Sequence, residues 1–360
     1  MRKSGFLLLL VIPFILVSCE DPNRPAHGPE DEIIVVADSD EFAALKSTLD
    51  STFEKIIFTP QPEKLFNLKR VSLNNIENYQ TYKNIIFIAP QNSSSKTSRF
   101  VDALIDTEKI LKSASTQNSF YQEYNLWAKD QLVVILTAPD IKQIENKIIQ
   151  NKDHLLSAFR NISDKRLYES LYDSKYEKRN TEGMLLKNYG WIIYVQPDFK
   201  VTINHPKENF ICFKNTSSKD MGKWIFVYWI DNASPAYLND DTIWAIRNRL
   251  TDEHYRIPGD TSCIKIAYNN CIYNEVTFNG KYALLSQGLW ESSNKMEGPF
   301  VNYTFFDEKT RRVYMLDGSI YAPQYYKRNL IQQMDVILQS FKTKAELSKD
   351  KQDELLEAAD

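Results

Sequence analysis

The chain has 360 residues, 43% of them hydrophobic, and a net charge of −3. That length supports two modest domains or one large one. The near balance of charge argues against nucleic acid, whose binders carry a basic face, and ten glycines leave few backbone loops that could cradle a phosphate.

The first element is a secretion signal in three parts. Arg2 and Lys3 are positive, Phe6 to Val17 is apolar except for Pro13, and Leu16-Val17-Ser18-Cys19 has the form of a lipobox. The apolar run is shorter than the roughly 20 residues that span a bilayer, and its flanks are those of a cleaved signal. Residues 1–18 are therefore expected to be removed. Cys19 is expected to be alkylated on sulfur and to become the lipid-bearing N-terminus, which places the chain in the cell envelope with the membrane as its first partner. Segment 19–32 is rich in proline and acid, cannot bury a face, and reads as a flexible tether. Its acids fit surface export and a periplasmic spacer about equally.

Residues 33–160 alternate strand and helix signals. Ile33 to Ala37, Ile85 to Pro90 and Leu132 to Leu136 are short, fully apolar runs, as expected of strands buried on both faces. A weaker strand covers Leu65 to Leu73. Phe42, Leu45, Leu49 and Phe53 share one helical face, Val101, Leu104, Ile105 and Leu111 another, and one long helix is expected after Pro139. This half reads as an α/β domain. Residues 161–190, charged and rich in tyrosine, read as a helical connector.

From Trp191 the pattern changes. Trp191 to Val195, Lys200 to Ile203, Phe210 to Phe213 and Trp224 to Ile230 are strand-like, and a helix capped by Asp240 or Asp241 follows. Strands are expected at Tyr273 to Phe278, Tyr282 to Trp290, Val301 to Phe306 and Arg312 to Leu316, with hairpin turns at Asp307-Glu308-Lys309-Thr310 and Asp317-Gly318. A helix with Leu330, Met334, Ile337, Leu338 and Phe341 on one face ends the run. Residues 191–341 thus read as an α+β domain with a mainly antiparallel sheet and helices on one side. Residues 342–360 read as a charged, solvated helical tail.

Chemical motifs are scarce. No Gly-x-Ser-x-Gly elbow, His-Glu-x-x-His helix, P-loop or dinucleotide fingerprint occurs, so no cofactor is expected. Besides Cys19 there are Cys212, Cys263 and Cys271. The turn-prone Asn269-Asn270 pair would let Cys263 and Cys271 close a disulfide-bonded hairpin; the alternative is three buried thiols. No metal is expected, because His27, His154, His205 and His254 lie far apart. Glu253-His254-Tyr255-Arg256 forms the best cluster, explained by the helix dipole unless Asp231 or Asp307 folds beside it. Asp240-Asp241 could serve a glycosidase, but helix capping explains the pair better. Five of six tryptophans, Trp191, Trp224, Trp229, Trp244 and Trp290, lie in the second half. They are expected in the core, with Trp244 or Trp290 the candidates for an exposed platform.

The chain also resembles a family of Bacteroidota lipoproteins classed as domain of unknown function 4837. The likeness rests on the lipobox at Cys19, the strand Ile33 to Ala37, Gly190-Trp191, and the Arg328-Asn329-Leu330 helix ending in Leu338-Gln339-Ser340-Phe341. It spans about residues 15 to 341 and implies an outer-membrane setting, with no activity or site residues to carry over. Three functions remain open: a non-enzymatic interaction or assembly component with an envelope protein partner, a glycan or peptide binder, and a hydrolase in which acids converge on His254 or His205.

Overall fold

The computed structural model describes residues 24–105, 120–215, 221–255 and 264–359. In the first half the order is β1 (Glu32–Val36), α1 (Ser39–Phe53), a hairpin of β2 (Ile56–Ile57) and β3 (Glu63–Lys64), then β4 (Asn67–Val71), β5 (Asn84–Pro90), α2 (Lys96–Ile105), β6 (Tyr121–Tyr124), β7 (Leu132–Ala138), α3 (Ile141–Gln150) and α4 (Lys152–Leu171). The main sheet is ordered β4-β1-β5-β7-β6, parallel except where β6 meets β7. Alternate residues of each central strand face opposite cores. Ile33, Val35, Ile86 and Val134 pack with Leu45, Phe53 and Ile144, while Ile34, Val36, Phe87 and Val133 pack with Val101. The helix expected after Pro139 is two, because Asn151 leaves helical geometry at φ −118°, ψ 17°.

Residues 24–31, expected within a tether, lie along this half. Backbone bridges join Pro25 to Lys129 and His27 to Tyr82. Glu30 pairs with Lys83 at 2.6 Å and with Arg166 at 3.0 Å, so its acid finds basic partners on the domain rather than water. Cys19 lies outside the described residues.

The second half runs α5 (Arg179–Tyr189), β8 (Trp191–Ile192), β9 (Phe199–His205), β10 (Phe210–Asn215), β11 (Gly222–Ile230), α6 (Asp240–His254), β12 (Ile264–Phe278), β13 (Lys281–Ser292), β14 (Glu297–Asp307), β15 (Arg312–Tyr321), α7 (Arg328–Gln339), β16 (Lys342–Thr343) and α8 (Lys349–Ala358). Seven strands form one antiparallel sheet, ordered β12-β13-β14-β15-β11-β10-β9. The α+β expectation holds, but helices pack on both faces of the sheet rather than on one side, because alternate residues of its central strand are apolar on both faces. Ile225, Val227 and Trp229 meet Met334, Ile337 and Leu338 of α7, while Phe226 and Trp290 meet Ile243 and Leu250 of α6.

Two turn signals were misleading. Asp317-Gly318 lies inside β15. The glycine is there because a Cβ would stand 2.8 Å from Met334 Cβ, where α7 crosses the strand. Asn269-Asn270 lies inside β12 at a shift of register between Ile266 and Cys271, so the chain does not reverse there. The C-terminal tail is docked rather than solvated. β16 pairs with β8, and Leu355 of α8 is fully buried with Leu186 and Ile192. Contact is close enough that a Cβ at Gly183 would stand 2.0 Å from the Leu355 carbonyl oxygen.

A polar seam joins the halves. The Glu63 carboxylate accepts from the backbone N–H of Lys327 at 2.8 Å and of Arg328 at 2.6 Å. Arg328 Nε donates to the Leu65 carbonyl, and Gln332 donates to Ser163 and Asp164. Burial and the nearby charge of Asp335 push the Asp164 carboxyl up to about 6.

Candidate functional site

A cavity of about 570 Å³ opens between the connector helices, α7 and the docked tail. Helix α4 supplies one wall. Asn161, Lys165 and Tyr168 recur at helical spacing, and Tyr172 follows at the helix end. Tyr168 and Tyr172 stack in nearly parallel planes, with centroids 5.5 Å apart and 5° between the rings. Tyr194 meets Tyr172 edge-on at 5.0 Å, and its hydroxyl donates to the Leu171 carbonyl. Asn279, Gln339 and Ser340 add amide and hydroxyl groups at the rim.

The floor holds two carboxyls with opposite environments. Burial pushes Glu182 up, the Glu177 charge adds to that, and the acid reaches about 8. Burial also raises Glu177, but hydrogen bonds from Lys351 and Arg179 outweigh it and leave that carboxyl below its ordinary value. Lys351 Nζ lies 2.9 Å from Glu177 Oε1 and Arg179 Nε 3.1 Å from Oε2. Glu182 therefore keeps its proton at neutral pH while Glu177 is ionised.

A pH dependence follows. Folded Glu182 keeps its proton up to about 8, while an unfolded glutamate releases it near 4.5. Between those values the folded state holds the extra proton, so its stability declines as pH rises. Glu182→Gln cannot ionise. It is expected to flatten that decline between about pH 6 and about pH 8 in urea unfolding, leaving the variant at least as stable as wild type at the upper end. Parallel slopes for the two proteins would remove Glu182 from this role.

The residues singled out by sequence fall elsewhere. Asp231 pairs with Arg312 at 2.7 Å, and Asp307 accepts from Thr310 at 2.7 Å, so neither joins His254. Asp240 and Asp241 stand in the first turn of α6, whose cap is Asn239, accepting from Thr242 N–H at 3.0 Å. Arg256 and Cys263 lie outside the described residues, and Cys271 is half-buried on β12. Cys212 is buried beside the Tyr255 hydroxyl at 3.6 Å, and burial pushes its thiol up to about 11. Trp191, Trp229 and Trp290 are core residues. Trp290 is thus no exposed platform; its indole donates to the Ile320 carbonyl at 3.1 Å. Trp224 and Trp244 are partly exposed. His27 packs edge-on against Tyr82, and His154 lies 5.3 Å from Phe120.

His205 and His254, 49 residues apart in the chain, are neighbours in space. Their ring centroids are 5.1 Å apart, and Glu208 lies between them. Composition gave no sign of this convergence. The one local clue is the three-residue spacing of His205 and Glu208 around Pro206.

Among solved structures, the chain is similar to cyanobacterial PsbP from Synechocystis sp. PCC 6803, at 11% identity over 44% of this chain and 88% of that one, with a TM-score of 0.31. It is also similar to the Ran-binding protein Mog1p of Saccharomyces cerevisiae, at 10% identity over 43% and 90%, TM-score 0.29. LpqN of Mycobacterium tuberculosis, described as involved in cell envelope biogenesis, matches at 13% identity over 42% and 82%, TM-score 0.27. No curated protein matches the chain. Residues 26–172 match a family described as Domain of unknown function (DUF8532). Residues 177–340 match a family described as Domain of unknown function (DUF4837).

Proposed function

We propose that this is a lipid-anchored cell-envelope protein, held at the outer membrane through Cys19, that binds a glycan segment in the tyrosine-lined cavity without transforming it. The observation that carries the binding role is the parallel Tyr168–Tyr172 pair beside amide and hydroxyl groups. Tyrosine faces suit the C–H face of a sugar ring, and a few convergent polar groups set orientation. Hydrolysis there is disfavoured, because the ionised carboxylate, Glu177, is already taken up by Lys351 and Arg179. The anchor rests on the lipobox.

Titration of the full chain in detergent with short oligosaccharides tests the binding role. Tyr168 is exposed, so Tyr168→Ala should fold and weaken binding about tenfold, close to 1.4 kcal/mol. Saturable binding of peptides but not sugars, or an indifferent Tyr168→Ala, would overturn the glycan assignment. For the anchor, Cys19→Ala should lose palmitate labelling and leave the membrane fraction or remain uncleaved; wild-type behaviour in both assays would refute it.

A further inference from the structure

The turn after β9 and the end of α6 bring three metal-binding side chains to one point. His205 is the last residue of β9, and Pro206–Glu208 forms a single 3₁₀ turn closed by Asn209 in the left-handed region at φ 55°. That turn sets Glu208 back against His205, with Nδ1 and Oε2 3.4 Å apart. From the opposite side, His254 ends α6 and places Nε2 3.3 Å from the same carboxylate oxygen. One ligand atom from each residue fits within 4.8 Å of the other two.

His254 is not a casual surface histidine. Its side chain is only 8% exposed, and Phe210 stacks on the ring with centroids 4.1 Å apart and 22° between planes. Nε2 is nevertheless buried with no hydrogen-bond partner among the described residues. Leaving such an atom unsatisfied costs about 1–3 kcal/mol. The 3.3 and 3.4 Å separations are long for hydrogen bonds. They match the edge of a tetrahedron with bonds of about 2.05 Å, which is about 3.3 Å. A second carboxylate, Glu253, lies 3.9 Å from Nε2 and is itself held by Arg249 at 3.0 Å.

We propose that His205, Glu208 and His254 form a binding site for a divalent transition-metal ion of the zinc class. Two imidazoles and one carboxylate favour zinc over magnesium or calcium. Three protein ligands leave a fourth position for water or a bound ligand. Solvent reaches it, because about half of the His205 and Glu208 side-chain surface is exposed. The site is independent of the tyrosine-lined cavity and does not rest on its assignment.

The test is calorimetric titration of the chelator-treated full chain in detergent with Zn²⁺, in the presence of excess Mg²⁺ and Ca²⁺. One Zn²⁺ per chain is expected. His205→Ala and Glu208→Gln alter exposed side chains and should keep the wild-type melting temperature without metal. Each should weaken Zn²⁺ binding more than about tenfold, at least the loss typical of a residue that only supports a metal ligand. Zn²⁺ should also raise the melting temperature of wild type but not of the His205→Ala/His254→Ala variant. Absence of saturable Zn²⁺ binding would overturn the site. So would unchanged affinity in His205→Ala and Glu208→Gln, which would place the ion elsewhere, for instance on cysteine thiols.

Discussion

Replacing Arg247 with alanine is expected to destabilise the antiparallel half by about 3–5 kcal/mol, the usual cost of stripping one partner from a buried ion pair. In a unit of this size that lowers the melting temperature by roughly 10 °C. Arg247 and Asp317 are both fully buried, with Nε 2.7 Å from Oδ2. The guanidinium lies 3.8 Å above the Phe300 ring and donates to Ser319, while Asn302 and Ser319 donate to the carboxylate. Without Arg247 a buried negative charge would keep only neutral donors. Converting both residues to leucine should recover only part of the loss, because Asn302 and Ser319 would then lack their acceptor. Thermal unfolding followed by near-ultraviolet circular dichroism reads both results. A loss below about 1 kcal/mol would mean that water reaches the pair.

That network also shows where sequence reasoning reached its limit. Asp317-Gly318 has the composition of a hairpin turn, yet the aspartate is a buried counter-ion and the glycine makes room for α7. Both facts depend on residues 15 or more positions away, which local propensity cannot register. The parallel strands of the first half were legible for the opposite reason. Strands buried on both faces read as unbroken apolar runs, so Ile33 to Ala37 and Ile85 to Pro90 identify themselves. β6 was missed because Tyr121–Tyr124 is polar and lies at an edge. The tail was misjudged because Leu355 is the one fully buried side chain of a highly charged helix, with Leu356 packed beside it.

The sites were less legible than the fold. Asn161, Lys165, Tyr168 and Tyr172 do carry a helical stripe, and the tyrosine-rich connector could have been read as one wall of a cavity. Its other walls come from Tyr194, Gln339 and Lys351, distant in sequence and unremarkable alone. His205 and His254 looked like isolated surface histidines. Sheet order makes them neighbours, since β9 is an edge strand and α6 ends over it.

Glu63→Ala is expected to uncouple the two halves, with a loss of about 2–4 kcal/mol and a single thermal transition resolving into two. The magnitude follows from two charge-assisted hydrogen bonds and the exposure of buried donors. Glu63 is buried, and its carboxylate accepts both backbone N–H groups that open α7. Lys327 Nζ stands 4.0 Å away, so the carboxylate also faces a buried cation at the positive end of the helix. The remaining seam is polar: Arg328 to Leu65, Gln332 to Asp164, and Arg160 to Asp335 at 3.7 Å. These contacts couple the halves through complementary donors and acceptors, and Glu63 is the member that caps α7. Glu63→Gln keeps one accepting oxygen but loses the charge, so it should fall between wild type and Glu63→Ala. Differential scanning calorimetry distinguishes the outcomes. One transition with an unchanged midpoint in Glu63→Ala would show that the halves hold together without this carboxylate, through the hydrogen bonds of Arg328 and Gln332.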